Sequence, residues 1–124
     1  GLDIPAILTF RNEVLAAKTA PSAREVLRAY AKAVPEELRR AGVKAGCFRP
    51  VTLNPFPREA LARCAKGRRI MTIELDAGQF ADDVRLNLAK AGLGAEAAGV
   101  RMVNRMGGEV VSVDEAVEAA KEMM

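Results

Sequence analysis

The sequence predicts a three-layer α/β/α domain built on a mostly parallel, doubly wound sheet. Short apolar runs typical of buried strands alternate with longer segments whose apolar residues recur at helical spacing. Ser–Glu pairs that cap helix starts, and glycines that follow apolar stripes, mark the element boundaries. Strands that alternate with helices pair in parallel through right-handed crossovers, so helices are expected on both faces. The length of 124 residues fits one domain.

The first residues are interpreted as a connector. Residues 1–12 form this lead-in, in which Asp3 would cap a helical turn and Pro5 would lie inside its start. The α/β domain is predicted to span residues 13–124. Its first strand is assigned to Glu13–Lys18, a brief apolar run. The chain has no initiating Met, which suggests a fragment of a longer protein.

The first long helix is predicted to begin near Pro21. Ser22 and Glu25 have the capping-box spacing that satisfies free backbone donors at a helix start. Pro35 is expected to kink this helix or to start a second one, because proline cannot donate the helical hydrogen bond. Gly42 stands where a C-terminal cap belongs.

Two further strand–helix units follow. The second strand is assigned to Val43–Phe48, and the third to Arg69–Leu75, which is the clearest bounded apolar run. Helices are predicted over residues 57–66 and over Gln79–Ala91, each followed by glycine.

The last unit begins with a short fourth strand at Val100–Val103. A loop over residues 104–108 follows, and residues 109–111 are expected to add a little extended chain. Ser112 and Glu115 form a second capping box, which predicts the start of the final helix.

Composition narrows the classes of function. The net charge is +3, and the basic residues are interleaved with acids, so no nucleic-acid partner is predicted. The chain has no His, which excludes a Ser-His-Asp triad, a Cys-His pair and a His-ligated metal. Its two Cys are not in a C-x-x-C pair, so we expect no metal or iron–sulfur cluster held by this chain. Scarce Cys and the lack of a long apolar run favour a cytoplasmic protein without a membrane partner.

Acidic residues cluster around the end of the third predicted strand, at Glu74, Asp76, Asp82 and Asp83. Ligands bind at this edge of an open α/β sheet, so a cation site or an acid/base pair is one interpretation. The favoured interpretation is structural, because acids at a turn and in the first helical turn are stabilised by the helix dipole.

Cys47 lies beside Arg49, and a neighbouring cation lowers a thiol pKa. Without a His to act as base, a buried core thiol is favoured over a nucleophile. Arg105 precedes two glycines, an arrangement that suits either an anion site or a tight interdomain turn. The residues proposed for anion or interdomain contact are Arg49, Asn54, Arg105, Gly107 and Gly108.

Three short motifs stand in a fixed order along the chain. Residues 49–57 read RPVTLNPFP, residues 73–80 read IELDAGQF, and residues 105–108 read RMGG. They resemble the R-P-x-T-L-x-P-F-P, V-E-M-N-x-G-Q-M and R-x-G-G motifs in the second domain of the α subunit of 2-oxoacid:ferredoxin oxidoreductases. A 2-oxoglutarate or 2-ketoisovalerate type is preferred over a pyruvate type. The second motif, which here has Asp76 in place of the usual Asn, supplies the family-motif turn residues Glu74, Asp76, Gly78 and Gln79.

The resemblance implies a fold similar to the transketolase C-terminal domain. It also implies a complex that makes acyl-CoA and CO2 from a 2-oxoacid and CoA while reducing ferredoxin. Thiamine diphosphate and iron–sulfur clusters would serve that complex, with none in this domain. Other domains and the β subunit would be its partners. The chain would be a non-catalytic structural and subunit-contact domain, inactive alone.

The residues leave two alternative functions open. One is an independent anion- or nucleotide-binding α/β module that uses Arg49, Arg105 and the Gly107-Gly108 turn. The other is the C-terminal domain of a different thiamine enzyme.

Overall fold

Within the residues that the structure describes, four parallel strands form one sheet with the order β2-β1-β3-β4. The structure is a computed structural model, and it describes residues 6–10, 21–50, 52–74, 77–105 and 111–124, with side chains from residue 31 onward. The strands are β1 (Ala6–Phe10), β2 (Ala45–Phe48), β3 (Arg69–Glu74) and β4 (Arg101–Asn104). The helices are α1 (Pro21–Arg40), α2 (Arg58–Ala65), α3 (Gln79–Lys90), α4 (Gly94–Ala98) and α5 (Val113–Glu122).

The order in which the chain adds strands to the sheet reverses between β1 and β3. The chain steps from β1 to β2 on one side and then crosses to β3 on the other, so β1 pairs with both. Leu8 of β1 stands opposite Cys47 and Met71, and Ile73 of β3 stands opposite Val103. Ligands in open α/β sheets bind at such a switch point, outside the carboxyl ends of the strands.

Two apolar clusters show that helices cover both faces of the sheet. Because successive strand residues point to opposite faces, Met71 and Ile73 face one cluster and Ile70 faces the other. The first cluster joins the sheet to α1 and α5; its buried members include Val34, Leu38, Val43, Ala116, Val117 and Ala120. The second joins the sheet to α2, α3 and α4; its members include Leu61, Ala65, Phe80, Val84, Leu88 and Ala97. The predicted three-layer α/β/α fold is confirmed.

The prediction for the start of the chain was wrong. Residues 6–10 do not form a helical turn in a connector; they form β1, which lies between β2 and β3. A short apolar run fits strand and helix spacing equally well, and the Ile, Thr and Phe of AILTF suit a strand. Glu13–Lys18, which had been assigned as the first strand, lies outside the described residues, as do residues 1–5. The predicted boundary at residue 12 stays a prediction, although residues 6–10 belong to the sheet.

Helix α1 continues through Pro35, so of the two predicted alternatives, a kink or a second helix start, the structure excludes the second. Proline removes one helical hydrogen bond, and Pro35 is buried next to Val34 in the helix. The predicted cap at Gly42 is confirmed. Gly42 has a φ of 86°, its N–H bonds to the Arg39 carbonyl at 3.0 Å, and the next N–H reaches Leu38 at 2.9 Å.

The remaining described elements differ from prediction by one or two residues at their ends, apart from α4, which was not predicted. Residues 109 and 110 of the predicted extended stretch lie outside the described residues. The capping box of the final helix is confirmed, since Ser112 Oγ accepts a 3.0 Å hydrogen bond from the Glu115 N–H. No helix in the described parts of the chain has the length and apolar character needed to cross a membrane.

Candidate functional site

The carboxyl edge of the sheet collects most of the candidate residues. Because the strands are parallel, Glu74 at the end of β3 and Arg105 just after β4 come to the same edge. Arg49 follows β2 at the same edge, but β1 lies between β2 and β3. This edge is where ligands bind in open α/β sheets, so it is the candidate site.

Glu74 is buried beneath the start of α3, with 1% of its surface exposed. Its Oε2 accepts a 2.9 Å hydrogen bond from the backbone N–H of Ala81. Gly78, the N-cap residue of α3, has no side chain to cap the helix. The carboxylate from the neighbouring strand therefore serves as the cap, and its charge suits the positive end of the helix dipole.

Gly78 brings the turn close to β4. Its φ of 108° is left-handed, and a Cβ placed there would lie 3.0 Å from Met102 Sδ. Next to it, Gln79 Oε1 accepts a 3.0 Å hydrogen bond from the Ala77 N–H. The structure thus brings Glu74, Gly78 and Gln79 together in one turn. Asp76, the fourth predicted turn residue, lies outside the described residues.

The other described acids near this turn, Asp82 and Asp83, make contacts within α3. Asp82 is exposed and pairs with Arg85 at 3.2 Å, one turn along the same helix. Asp83 is half-buried, and its backbone carbonyl accepts a 2.8 Å hydrogen bond from the Asn87 side chain. Among the described residues, no three acids or cysteines are grouped so that they could hold a metal ion. The described acids at this corner favour the capping interpretation over a cation site.

Arg105 connects the end of β4 to β3 and to α5. Its N–H donates to the Glu74 carbonyl at 3.3 Å, which extends the β3–β4 ladder by one residue. Its guanidinium forms an ion pair with Glu115 of α5 and donates to the Asn104 carbonyl at 3.0 Å. Gly107 and Gly108, the partners expected for an anion site, lie outside the described residues. The described contacts of Arg105 therefore lie within the domain, and its anion or interdomain contact stays a prediction.

Arg49 and Asn54 lie in the loop after β2, and both are exposed. In this loop Thr52 Oγ1 donates to the Pro55 carbonyl at 2.8 Å. Strands in a sheet are about 4.8 Å apart, so the two edge strands β2 and β4 are separated by about 14 Å. The structure does not bring Arg49 together with Arg105.

Cys47 is exposed, so the prediction of a buried core thiol was wrong. It lies on β2, an edge strand of the described sheet, where one side lacks a neighbour to cover it. Protein atoms around the sulfur still raise the pKa of the Cys47 thiol by desolvation, and Arg49 lowers it by a smaller amount. A raised pKa leaves less thiolate at neutral pH, which argues against an activated nucleophile. Cys64 is half-buried on α2.

One buried polar contact was missed at the sequence level. Asn87 is 7% exposed on α3, and its Oδ1 accepts a 3.0 Å hydrogen bond from Arg58 Nε at the start of α2. This bond ties the two helices that share one face of the sheet. The signal was present, because Asn87 follows Val84 by three residues and so falls on the apolar face of α3.

Comparison with known proteins identifies the family of this fold. The family model described as pyruvate:ferredoxin oxidoreductase core domain II matches residues 22–116, which is more than half of the chain. The chain belongs to this family. The match includes the turn around Gly78, Arg105 and the start of α5.

Two relatives carry the name ketoisovalerate oxidoreductase subunit VorB. The protein from Methanothermobacter thermautotrophicus is 31% identical over 94 residues, and the one from Methanothermobacter marburgensis is 30% identical over 94 residues. Each alignment covers 75% of this chain and 25% of the relative. The chain therefore spans about a quarter of the length of the curated relatives that it matches.

Proposed function

We propose that this chain is a structural and subunit-contact domain of a thiamine-diphosphate-dependent 2-oxoacid:ferredoxin oxidoreductase. The full complex would convert a 2-oxoacid, CoA and oxidised ferredoxin into acyl-CoA, CO2 and reduced ferredoxin. The chain would belong to the α subunit of a cytoplasmic enzyme and contact its other domains and the β subunit. Family membership supports the enzyme class, and the name of the two relatives supports a branched-chain 2-oxoacid as substrate.

One observation carries the non-catalytic role. The buried carboxylate at the ligand-binding edge, Glu74, caps α3, and the nearby guanidinium of Arg105 pairs with Glu115. Groups that act on a substrate must be available to contact it. These two groups instead hold the start of α3 and the start of α5 against the sheet.

The described residues do not fit thiamine diphosphate. A diphosphate bound through a metal ion is held by several oxygen ligands around one point, usually including carboxylates, and no three acids or cysteines are so grouped among the described residues. The start of α3, which would otherwise attract a phosphate, is occupied by the Glu74 carboxylate. We therefore assign the thiamine and the iron–sulfur clusters to other parts of the complex.

The decisive test distinguishes an effect on assembly of the complex from an effect on its catalytic rate. In the full oxidoreductase, Arg105→Gln should lower the yield and thermal stability of the complex while leaving kcat per assembled complex unchanged. A fall in kcat of the assembled enzyme would give Arg105 a part in the chemistry. Thiamine-dependent turnover by the isolated 124-residue chain would also overturn the proposal.

The alternative of an independent anion-binding module keeps one observation in its favour. Arg49 is exposed, and it forms no ion pair with a described carboxylate. A phosphate or nucleotide that binds the native state must raise the melting temperature of the isolated chain. Loss of that shift in Arg49→Gln would support the alternative, and no shift with any such ligand would count against it.

A further inference from the structure

Strand β4 forms one edge of the described sheet, where it pairs with β3 on one side. A groove of about 380 Å³ runs along its other side, lined by the whole of β4 and by α5. An unpaired strand edge presents main-chain N–H and C=O groups that another strand can pair with. The groove gives such a strand room, so the state of the main-chain groups along it decides whether the edge is open.

The register shows which main-chain groups of β4 face away from β3. The Arg105 N–H donates to the Glu74 carbonyl at 3.3 Å, so Arg105 directs its N–H to β3. Successive residues of a strand direct their main-chain groups to opposite sides, so Met102 and Asn104 direct theirs to the open side. Val100, just before β4, continues this series. The acceptors that an incoming strand would use are therefore the carbonyls of Val100, Met102 and Asn104.

Arginine side chains already bond to two of these three carbonyls. Arg85 Nη2 donates to the Val100 carbonyl at 3.2 Å, and Arg105 Nη1 donates to the Asn104 carbonyl at 3.0 Å. A charged donor makes a stronger hydrogen bond than a neutral one, so the main-chain N–H of an incoming strand competes poorly for these acceptors. Within the described part of the chain, the Met102 carbonyl is the one of the three without a hydrogen bond.

An acid orients each of the two arginines at the edge. Arg85 pairs with Asp82 on α3 at 3.2 Å, and Arg105 pairs with Glu115 of α5. Helix α3 covers one face of the sheet and α5 covers the other, so the two guanidinium groups reach the edge from opposite faces. Both arginine side chains are 39% exposed, so these ion pairs orient the guanidinium groups more than they stabilise the fold.

The other edge strand of the described sheet has a bond of the same kind. On β2, Arg39 Nε donates to the Ala45 carbonyl at 2.9 Å. Charged side chains are a common way to keep strand edges from pairing, and the several N–H groups of arginine let it also donate to a main-chain acceptor. Bonds from arginine to a main-chain carbonyl are therefore present at both edges of the described sheet.

We propose that Arg85 and Arg105 close the β4 edge and so prevent the domain from pairing edge to edge with a second copy of itself. Two copies related by a two-fold axis would place their β4 strands antiparallel, with the same main-chain groups used on both. Both copies would then have to release their arginines from the Val100 and Asn104 carbonyls. The inference goes beyond the proposed function, because it concerns self-association of the domain and not its place in a complex.

The test is self-association of the 124-residue chain after the two arginines are replaced. The edge variant combines Arg85→Gln and Arg105→Gln, which remove the charged donors and keep polar side chains. The control variant combines Arg40→Gln and Arg101→Gln, which remove two ion-paired arginines that have no described bond to a main-chain carbonyl. Sedimentation velocity over a series of concentrations gives the dimerisation constants, and circular dichroism checks that each variant is folded.

We expect the edge variant to dimerise at least about tenfold more tightly than the unmodified chain, because each lost charge-assisted bond frees an acceptor for pairing. The control variant should match the unmodified chain. Hydrogen exchange of the Met102 N–H should be slower in the dimer than in the monomer, since pairing at β4 would bond it. Adding Met102→Pro removes this outward N–H without removing a described ladder bond, and it should reverse the dimerisation.

The inference is overturned if the folded edge variant is as monomeric as the unmodified chain. Equal dimerisation of the control variant would also overturn it, because loss of charge alone would then be the cause. Dimerisation that persists with Met102→Pro would place the contact away from β4. Slow exchange of the Met102 N–H in the unmodified monomer would show that another part of the chain already pairs with this edge, and would overturn the inference too.

Single replacements keep the test valid if the double replacement impairs folding. Arg85→Gln and Arg105→Gln should each increase dimerisation by a smaller factor, since each frees one carbonyl. No increase in either folded single variant would contradict the inference.

Discussion

The turn at Gly78 offers a direct test of how the candidate site is built. Gly78→Ala adds one Cβ at a residue with a φ of 108°, where that atom would lie 3.0 Å from Met102 Sδ. Gly42→Ala is the matched comparison, because Gly42 also has a positive φ, of 86°, but has nothing within 4 Å of the added atom. Gly46→Ala is the neutral control, with open space and no positive φ.

The structure distinguishes two contributions to the loss of folding stability, one from the backbone conformation and one from contact with Met102. A left-handed conformation costs a non-glycine residue about 1–2 kcal/mol, so Gly42→Ala should lose about that much stability. Gly78→Ala carries the same cost plus the displacement of Met102, which should add about 0.5–1 kcal/mol because a side chain forced off its rotamer costs roughly that. The Met102 side chain is 36% exposed and flexible, so it can move and the second cost stays the smaller one. Gly46→Ala should stay within about 0.5 kcal/mol of the unmodified chain.

The measurement is denaturant unfolding of the purified chain, followed by circular dichroism, for each variant and for Gly78→Ala in a Met102→Ala background. Removing the Met102 side chain should recover about 0.5–1 kcal/mol of the loss and leave the conformational cost. The reasoning is refuted if Gly78→Ala unfolds within about 0.5 kcal/mol of the unmodified chain. An equal loss in both backgrounds would show that Met102 does not close over Gly78.

Three further predictions concern single contacts. Glu74→Ala should cost about 1–3 kcal/mol, because it leaves the buried N–H of Ala81 without its acceptor, and Glu74→Gln should recover part of this in the same unfolding assay. Ser112→Ala should cost about 1 kcal/mol through loss of the helix cap to Glu115, with Ser112→Asp as the restoring control. For Cys47, whose thiol pKa is raised in the folded state, stability should fall as pH rises above the pKa of the unfolded thiol, since only the unfolded chain then releases its proton. Unfolding at pH 7 and pH 10 should show this fall, and the fall should be smaller in Cys47→Ser than in the unmodified chain.

Each of these has a contradicting result. An unfolding free energy of Glu74→Ala equal to that of the unmodified chain would mean that the carboxylate does not cap α3. A Ser112→Ala variant that loses no helicity would remove the role of the capping box. Identical pH dependence in the unmodified chain and Cys47→Ser would show that the thiol does not titrate differently on folding.

Local signals in the sequence were enough to predict most of the strands and helices. The apolar run of β3, the cap at Gly42 and the capping box at Ser112 depend on residues within one helical turn or one strand, and each was predicted at or near its place. The error at the start of the chain comes from a signal that is too short. Residues 6–10 carry an apolar pattern too short to distinguish helix from strand, and only pairing with β2 and β3 makes them the strand between those two.

The candidate site was predictable as a set of residues but not as an arrangement. The family resemblance singled out the turn residues Glu74, Gly78 and Gln79, and the sequence pattern placed them between a strand and a helix. It could not show that Glu74 caps Ala81 or that Met102 lies over Gly78, because those contacts join separate elements. Nor could the sequence show that Arg105 pairs with Glu115 whereas Arg49 is exposed.

The sequence by itself determined the fold class, the family resemblance and the absence of His-based chemistry, since these follow from residue types and from local periodicity. The tertiary structure decided the strand order and the partner of each described carboxylate and guanidinium at the candidate site. Arg105 follows β4 and Glu115 lies on α5, and only the folded chain brings the two side chains into contact. Contacts of this kind depend on which elements become neighbours in the folded chain, and no local pattern records that.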